Sequence, residues 1–304
     1  MTQAQYEKNL LPPTSVVDVV LDTDAFNEID DQFAISWLLK AKDRVNLKAF
    51  YTAPFWNDLS DGPKDGMEKS YAELLKLLDL AGRPDMKENT FKGSDRYLPD
   101  EKTPVLSPSA QDLAKRAMEY SPEKPLYVLA IGAITNVASA LLLNPAIAEN
   151  IVVVFLGGHG LDFVHNKEFN MKQDVAGARV VYGSGCPLVV FPCVPVVSNL
   201  STTEPELRYW LGGKGKLADY LVENTVRTAE RYAKGKVWSR VIWDITTVAW
   251  VLNGKEYTTH KQIPLIMPGY DHQYEQNVSD RKITYVCQIQ RDKIFGDLFS
   301  SLAE

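Results

Sequence analysis

Cysteine is scarce in this chain of 304 residues, which has only Cys186, Cys193 and Cys287. An odd count without a Cys-x-x-Cys pair indicates neither a disulfide framework nor a zinc ribbon. We therefore expect inert, largely buried thiols in a reducing compartment.

The chain also lacks an excess of positive charge. It has 33 Lys and Arg against 39 Asp and Glu, a formal net charge of −6. Proteins that hold polyanions usually present a basic face, so we do not expect nucleic acid as a partner. A neutral small molecule or a cation suits this balance better.

Long apolar runs are missing as well. No segment approaches the roughly 20 apolar residues of a membrane span, so no membrane partner is expected. Residues 1–15 contain no apolar core of a signal peptide, and a cytoplasmic location follows as the expectation. We interpret these fifteen residues as a loose leader ending at Pro12-Pro13.

Strand and helix patterns alternate along the rest of the chain. The continuous apolar run at 16–21 is typical of a buried parallel strand, and from Asp30 onward apolar residues recur at helical spacing. Further strands are predicted at 45–51, 126–131, 151–156, 187–191 and 283–289. Further helices are predicted at 69–80, after the turn 132–136 and up to residue 143, and at 176–182, 216–234, 244–252 and 293–302. This alternation predicts a single α/β domain over 1–304, with a mostly parallel central sheet flanked by helices.

Five acidic residues lie within ten positions at the first strand-helix junction: Asp22, Asp24, Glu28, Asp30 and Asp31. So much negative charge favours a hard divalent cation, and Ca²⁺ takes six to eight oxygen ligands. The alternative is that the two adjacent aspartates only cap the helix while the others are solvated. An EF-hand is excluded because the loop lacks its glycine, and a phosphatase would need a phosphate-binding lysine that we do not find.

The segment 22–34, DTDAFNEIDDQFA, resembles the DxDPGxDDxxA motif that opens the inosine-uridine nucleoside hydrolase family. It keeps the DxD, the DD pair and the alanine. It departs from the motif by losing Pro-Gly and by having two more residues between the pairs.

Three further matches follow in the family's order. The segment 128–136, VLAIGAITN, resembles the family's GPLTN turn. Gly157-Gly158, the segment 168–170 (EFN) and Asp174 resemble its GG…EFN…D segment. Trp243 and Asp244 stand where many members have His-Asp. The resemblance covers roughly residues 16–255.

The resemblance implies a Rossmann-like nucleoside hydrolase that cleaves the N-glycosidic bond of ribonucleosides to free base and ribose, with a role in nucleoside salvage. It implies one Ca²⁺ per subunit and a homodimer or homotetramer. The implied metal ligands are the carboxylates of Asp24, Asp31 and Asp244 and the carbonyl of Thr135. Asp24 would also be the general base toward the attacking water.

The resemblance also implies which residues bind the ribose hydroxyls, namely Asp30, Glu168 and Asn170. A further ribose ligand is expected at Asp162, with Asn166 as the alternative. Asn57, in the loop after the second predicted strand, is our candidate for one more substrate contact.

Trp243 replaces the histidine that protonates the departing base in many members. The purine-preferring branch of the family also has Trp-Asp here, so the resemblance favours stacking of a purine on Trp243, with Phe55, Trp56 or Trp238 as the opposite wall. The alternative is that Trp243 is a core residue packed against Trp250.

The missing histidine leaves two questions open. His159 or His165, in the loop before Glu168, would be the replacement proton donor if the chain has one. Hydrolysis of another N-riboside, or binding of ribose or metal without catalysis, remain the alternative functions.

Overall fold

One large sheet organises the fold. Within residues 1–41 and 43–304, which the computed structural model describes, eight strands form this sheet in the order β3-β2-β1-β4-β5-β6-β10-β9. All neighbours are parallel except β9 and β10. The strands are β1 (Asp18–Thr23), β2 (Asn46–Thr52), β3 (Thr90–Phe91), β4 (Leu126–Ala130), β5 (Ile151–Leu156), β6 (Leu188–Phe191), β7 (Ser201–Thr202), β8 (Arg240–Val241), β9 (Thr258–Pro268) and β10 (Tyr274–Ile289). The short strands β7 and β8 pair separately.

Helices cover both faces of the sheet, as a parallel sheet requires. They are α1 (Gln3–Asn9), α2 (Asp30–Lys40), α3 (Pro63–Leu80), α4 (Pro108–Arg116), α5 (Thr135–Leu143), α6 (Phe169–Gln173), α7 (Val175–Gly183), α8 (Glu204–Leu211), α9 (Lys216–Ala233), α10 (Ile245–Tyr257) and α11 (Arg291–Ala303). Short 3₁₀ helices span Pro84–Asn89, Ala117–Glu119, Pro145–Glu149 and Val197–Asn199. The predicted α/β class with a mostly parallel central sheet is confirmed.

The strand β1 lies at the centre of the sheet, between β2 and β4. Its apolar residues Val19, Val20 and Leu21 are fully buried, which explains their continuous run in the sequence. Two apolar cores form, one on each face, with Trp37 and Trp250 in one of them. Because the neighbouring strands are parallel, their carboxyl ends meet at one edge, and polar side chains that follow them converge there.

The N-terminal segment is more ordered than predicted. Residues 3–9 form helix α1, whose N-terminus is capped by the Thr2 hydroxyl. The Tyr6 hydroxyl donates to the Lys282 carbonyl at 2.8 Å, and Asn9 Nδ2 donates to the Pro122 carbonyl at 2.9 Å. The interpretation of 1–15 as a loose leader is therefore corrected: these few inward-facing residues dock the segment, although it is too short for a periodic pattern.

The C-terminal hairpin is the largest difference from the predicted elements. The predicted strand at 283–289 is only the second half of β10, and its partner β9 was not predicted. The first half of β10 is mostly polar and exposed, so it lacks the apolar pattern of a buried strand. None of the helices in the described part of the chain is long and apolar enough to cross a bilayer.

Candidate functional site

Three buried aspartates meet at the carboxyl edge of the sheet. Asp30 and Asp31 occupy the first turn of α2, and Asp244 precedes the first residue of α10. One carboxylate oxygen from each lies within 4.8 Å of the others. The positive ends of two helix dipoles offset part of this charge, but three buried carboxylates still need a cation or protons. The predicted convergence of Asp244 on the junction after β1 is therefore present.

Asp24 lies beside this group and is fully buried. Neither of its carboxylate oxygens has a hydrogen-bond partner in the structure. Burial, followed by the charges of Asp31 and Asp30, raises the pKa of Asp24 well above its usual range. Buried carboxylate oxygens rarely lack partners, so this arrangement suits the binding of a divalent cation.

A glycine allows the next turn to approach Asp24. A Cβ atom at Gly132 would lie 2.9 Å from Ala53 Cβ and 3.1 Å from Asp24 Cγ, so the close approach requires glycine. Gly132 begins the turn that leads to Thr135. The predicted base and the turn carrying the predicted carbonyl ligand are thus in contact.

Thr135 is fixed by a residue whose role the sequence analysis did not assign. Its hydroxyl donates to Asp174 Oδ2 at 2.6 Å. Asp174 also accepts the backbone N–H of Gly177 at 2.7 Å and of Leu98 at 3.1 Å. Asp174 therefore anchors the start of α5, where the Thr135 peptide lies. The resemblance to the family's final Asp was the only signal for it.

A cavity of about 690 Å³ opens above the aspartates. Its walls include most of the predicted substrate-binding residues and ligands: Asp30, Asp31, Asn57, Glu168, Asn170, Trp243 and Asp244. Asp24 and Thr135 are fully buried and do not form part of the wall. This volume is in the range of small-molecule sites.

Glu168 and Asn170 are held rigidly in this wall. The Glu168 carboxylate accepts the backbone N–H groups of Gly158, Asn170 and Met171 at 2.9–3.1 Å. Burial raises the pKa of Glu168, while these amides lower it. Asn170 Nδ2 donates to the carbonyls of Ile131 and Leu156, both at 3.1 Å, which orients its Oδ1 as an acceptor. Both side chains are therefore fixed as acceptors.

Asn57 reaches the cavity through its own loop. Its Nδ2 donates to Asn27 Oδ1 at 2.7 Å, and its Oδ1 accepts the Leu59 backbone N–H at 2.8 Å. Asn27 and Leu59 line the same cavity. The side chain thus stabilises the loop as well as contributing to the wall.

The structure does not bring Asp162 or Asn166 to the cavity wall. Asp162 is exposed, because the chain turns outward where the Phe163 N–H donates to the Gly160 carbonyl. Asn166 is buried, but it binds the C-terminal hairpin: its N–H donates to the His272 carbonyl at 2.8 Å. Neither residue is therefore placed where the other predicted ribose ligands lie, and a ribose contact at Asp162 or Asn166 stays a prediction that the position of these residues does not support.

Trp243 combines the two interpretations made from the sequence. It is half-buried, packs against the core and also lines the cavity. Trp250 is fully buried in the same core, with its ring edge-on to Phe191 and His260 at 6.0 and 5.1 Å between centroids. One side of Trp243 therefore packs against the core, and another side faces the cavity, where a ligand can bind.

The aromatic residues expected opposite Trp243 are not the ones that line the cavity. Trp56 is 63% exposed, Phe55 is fully buried, and Trp238 packs against the core. Tyr232 and Phe169 line the cavity instead. The sequence analysis did not single out Tyr232, because its position depends on where α9 ends.

Tyr232 is held by an arginine that also reaches the acidic junction. Arg240 lies over the Tyr232 ring, with 5.4 Å between guanidinium and centroid, and donates to the Tyr232 hydroxyl. The same guanidinium pairs with Glu28 at 2.5 Å. This neutralises Glu28 and leaves the aspartates beneath for another cation.

All three cysteines are free, with Cys186 and Cys193 buried and Cys287 exposed. Cys193 lines the cavity, which sequence reasoning missed. Burial, with Glu168, Asp244 and Asp30 nearby, raises the pKa of the Cys193 thiol well above its usual range. A raised thiol pKa disfavours the reactive thiolate form.

An acidic cluster under a small-molecule cavity, at the carboxyl edge of a parallel sheet, defines an α/β enzyme site. The sequence model of the inosine-uridine preferring nucleoside hydrolase family matches residues 19–286 of this chain. The chain belongs to this family, and it is an N-glycosidase of the nucleoside hydrolase class, as the sequence predicted.

Individual relatives agree with this membership. The non-specific ribonucleoside hydrolase RihC of Salmonella typhimurium is 26% identical over 268 residues, which cover 81% of each chain. A purine-preferring ribonucleoside hydrolase from Gardnerella vaginalis has a similar fold, with a TM-score of 0.71 and 19% identity. The match covers 94% of this chain and 98% of the Gardnerella chain. The type III effector XopQ, solved with adenosine diphosphate ribose, also has a similar fold. Its TM-score is 0.69 at 14% identity, and the match covers 100% of this chain and 99% of XopQ.

Proposed function

We propose that this protein hydrolyses the N-glycosidic bond of ribonucleosides, preferentially purine ribonucleosides, and that it uses Ca²⁺. One observation carries the proposal: the unpartnered Asp24 carboxylate lies beside Asp30, Asp31 and Asp244, directly under a cavity of small-molecule size. Nucleoside hydrolysis needs such a base, a cation and a sugar site in one place.

The donors suit calcium. Asp24, Asp31 and Asp244 supply carboxylate oxygens, and the Thr135 carbonyl would add a neutral one. These are hard oxygen ligands, which Ca²⁺ prefers. When bound, such a cation neutralises the carboxylates and lowers the pKa of water in its coordination sphere.

The fixed acceptors explain how ribose would be oriented. Asp30, Glu168 and Asn170 line the cavity with oxygens that can accept hydroxyl hydrogens. Glu168 and Asn170 are already oriented by backbone contacts, so little ordering remains on binding. Holding the sugar in one pose contributes to the rate through orientation.

Asp24 is placed to act as the general base. In the reaction, a bond forms between the water oxygen and C1′, the bond from C1′ to the base nitrogen breaks, and Asp24 takes the water proton. The sugar passes through an oxocarbenium-like state, whose positive charge is stabilised by the surrounding carboxylates. Burial makes this stabilisation stronger than it would be in water.

Trp243 and Tyr232 support the purine preference. Both line the cavity, and a purine offers more ring area for stacking than a pyrimidine. The Gardnerella enzyme is named purine-preferring and RihC non-specific, so relatives of both kinds exist.

Ribose release from a nucleoside panel tests the proposal. Protein stripped with EDTA should be inactive, and Ca²⁺ should restore cleavage of inosine and guanosine above that of uridine. Asp24→Asn should reduce kcat by about 10³-fold or more, since it removes the base from a charged site. Asp85→Asn, at an exposed ion pair, is the control. Absence of ribose release from every nucleoside with Ca²⁺ present would refute the proposal.

A second candidate substrate is an N-riboside that carries phosphate. Arg231 and Lys167 are exposed at the cavity wall, where they could meet an anionic group. XopQ was solved with adenosine diphosphate ribose, an extended riboside. Calorimetry with inosine and inosine 5′-monophosphate separates the candidates: tighter binding of the nucleotide favours the second, and binding without turnover favours a non-catalytic role.

A further inference from the structure

His159 stands apart from the other histidines of the described chain, because it alone lines the cavity. His165 lies in the same loop but outside the wall. His260 packs edge-on against Trp250, with 5.1 Å between ring centroids. His272 is at the tip of the C-terminal hairpin. Any imidazole chemistry in the cavity must therefore come from His159.

The backbone on both sides of His159 is fixed. The Gly158 carbonyl accepts the Cys193 N–H at 2.9 Å, and the Gly160 N–H donates to the Val194 carbonyl at 2.7 Å. One residue further on, the Leu161 N–H donates to the Tyr285 hydroxyl of the hairpin at 3.0 Å. Rigid supports of this kind are what a group that acts on a substrate requires.

The His159 imidazole itself is half-buried and incompletely satisfied. Its ring contacts Phe163 at 4.8 Å and His165 at 5.6 Å between centroids. Its Nδ1 is buried without a hydrogen-bond partner. Nδ1 is therefore closed off from the cavity, whereas Nε2 is not among the buried atoms and has no hydrogen-bond partner among the described residues, so Nε2 is the ring nitrogen that can meet a substrate.

The reaction needs a proton donor that the position before Asp244 does not supply. When the bond from C1′ to nitrogen breaks, its electron pair stays on the base. A tryptophan at position 243 can stack on that base, but its indole N–H is far too weak an acid to protonate it. General acid catalysis typically contributes about 10²- to 10⁴-fold, so a donor elsewhere in the cavity would have a large effect.

We propose that the His159 imidazole protonates the departing base. The inference rests on the proposed nucleoside hydrolysis. The proton moves from the imidazole to a ring nitrogen of the base, the electron pair of the broken bond is neutralised there, and neutral base leaves. Water bonded to C1′ gives ribose, Asp24 takes the water proton and then releases it to solvent, and solvent returns a proton to His159, so the protein ends the cycle in its starting state.

The surroundings of His159 agree with this role. Burial and the neighbouring His165 lower the pKa of His159 below its usual range. A lowered pKa makes the imidazolium a stronger acid, and it also means that a smaller fraction of His159 carries the proton at neutral pH.

Two substrates with different leaving groups test the proposal. With the calcium-loaded protein, His159→Gln should reduce kcat on inosine by about 10²- to 10⁴-fold, but should leave kcat on 4-nitrophenyl riboside within about two-fold, because nitrophenolate needs no protonation. His272→Asn, at the tip of the C-terminal hairpin and outside the cavity wall, is the control and should leave both rates unchanged.

Each outcome is decisive. Equal losses on both substrates would show that His159 only supports the site, and an unchanged rate on inosine would show that it is not the donor. Circular dichroism and calcium titration of His159→Gln separate either result from unfolding, and His159→Asn provides a second variant if the first does not fold. If the unmodified protein cleaves neither substrate, the proposed function fails and this inference fails with it.

Discussion

Asn136 donates its Nδ2 to Asp22 Oδ1 at 2.7 Å, in the buried layer beneath the acidic cluster. The same nitrogen donates to the Thr52 carbonyl at 3.1 Å. Its Oδ1 accepts both the backbone N–H and the hydroxyl of Ser94 at 2.8 Å. One amide thus joins the ends of β1 and β2 to the turn after β3, and supports the segment that carries Asp24.

Asn136→Ala should destabilise the fold, because it removes a hydrogen bond from buried Asp22 and leaves several other groups unpaired. The expected loss is about 1–3 kcal/mol in the free energy of unfolding. Urea denaturation of both proteins measures it. Asn144→Ala, which removes one bond to the Ala114 carbonyl at 3.3 Å, should lose less. Equal losses would contradict the role of Asn136 as a junction.

Thr135→Val should weaken cation binding more than it weakens the fold. It keeps the shape of the side chain but removes the hydroxyl that holds Asp174 at 2.6 Å, so the Thr135 carbonyl loses its fixed position. Loss of such an outer contact typically lowers metal affinity by about 10- to 100-fold. Calcium titration calorimetry measures the change. Thr135→Ser, which retains the hydroxyl, should recover most of the affinity.

The acidic cluster should make the metal-free protein less stable as the pH rises. Burial raises the pKa of Asp22 to about 7 and that of Asp31 to about 6 in the folded state. Unfolded aspartates titrate near about 4. A carboxyl group whose pKa is higher in the folded than in the unfolded state stabilises the fold fully at a pH below its unfolded pKa. This stabilisation is lost as the pH rises through the folded pKa, here up to about pH 7.

Thermal unfolding with a chelator checks this expectation: Tm should be lower at pH 8 than at pH 5.5, because pH 8 lies above both folded pKa values and pH 5.5 lies below both. Added Ca²⁺ should raise Tm more at pH 8, where the carboxylates are ionised. Asp24→Asn should reduce the pH dependence, because one buried carboxyl is removed. A calcium effect that is larger at the lower pH would contradict a carboxylate site.

Much of the site could be predicted because its residues follow strand ends. The apolar run of β1 identifies a central strand, and Asp24, Asp30 and Asp31 follow it directly. Parallel strands share one carboxyl edge, so polar residues after other strands must meet these aspartates. Asp244 precedes a helix whose apolar pattern was readable, and it also reached this edge.

The rest depended on packing that no local pattern contains. Asp162 is exposed because a backbone hydrogen bond closes the turn around it. Such a bond can form with almost any side chains, so the sequence carries no signal for it. Tyr232 reaches the cavity because α9 ends beside Arg240, a contact between residues on separate elements. The hairpin strand β9 pairs at the edge of the sheet and alternates poorly, so its sequence resembles a loop.

Trp243 should determine the base preference. The expectation is that Trp243→Ala raises KM for inosine and guanosine, with little change for uridine, because a pyrimidine stacks over less ring area. Aromatic stacking contributes about 0.5–1.5 kcal/mol beyond burial, which corresponds to about a 2- to 12-fold change in KM. Steady-state kinetics on the three nucleosides measure it. Trp210→Ala is the control, since Trp210 stacks on Phe299 with 6.3 Å between ring centroids, away from the cavity wall.

If Trp243→Ala lost activity equally on purine and pyrimidine nucleosides, Trp243 would act through the core against which it packs, and the proposed purine preference would need another source. Trp243→Phe should keep most of the preference, because the ring remains while the indole N–H is lost.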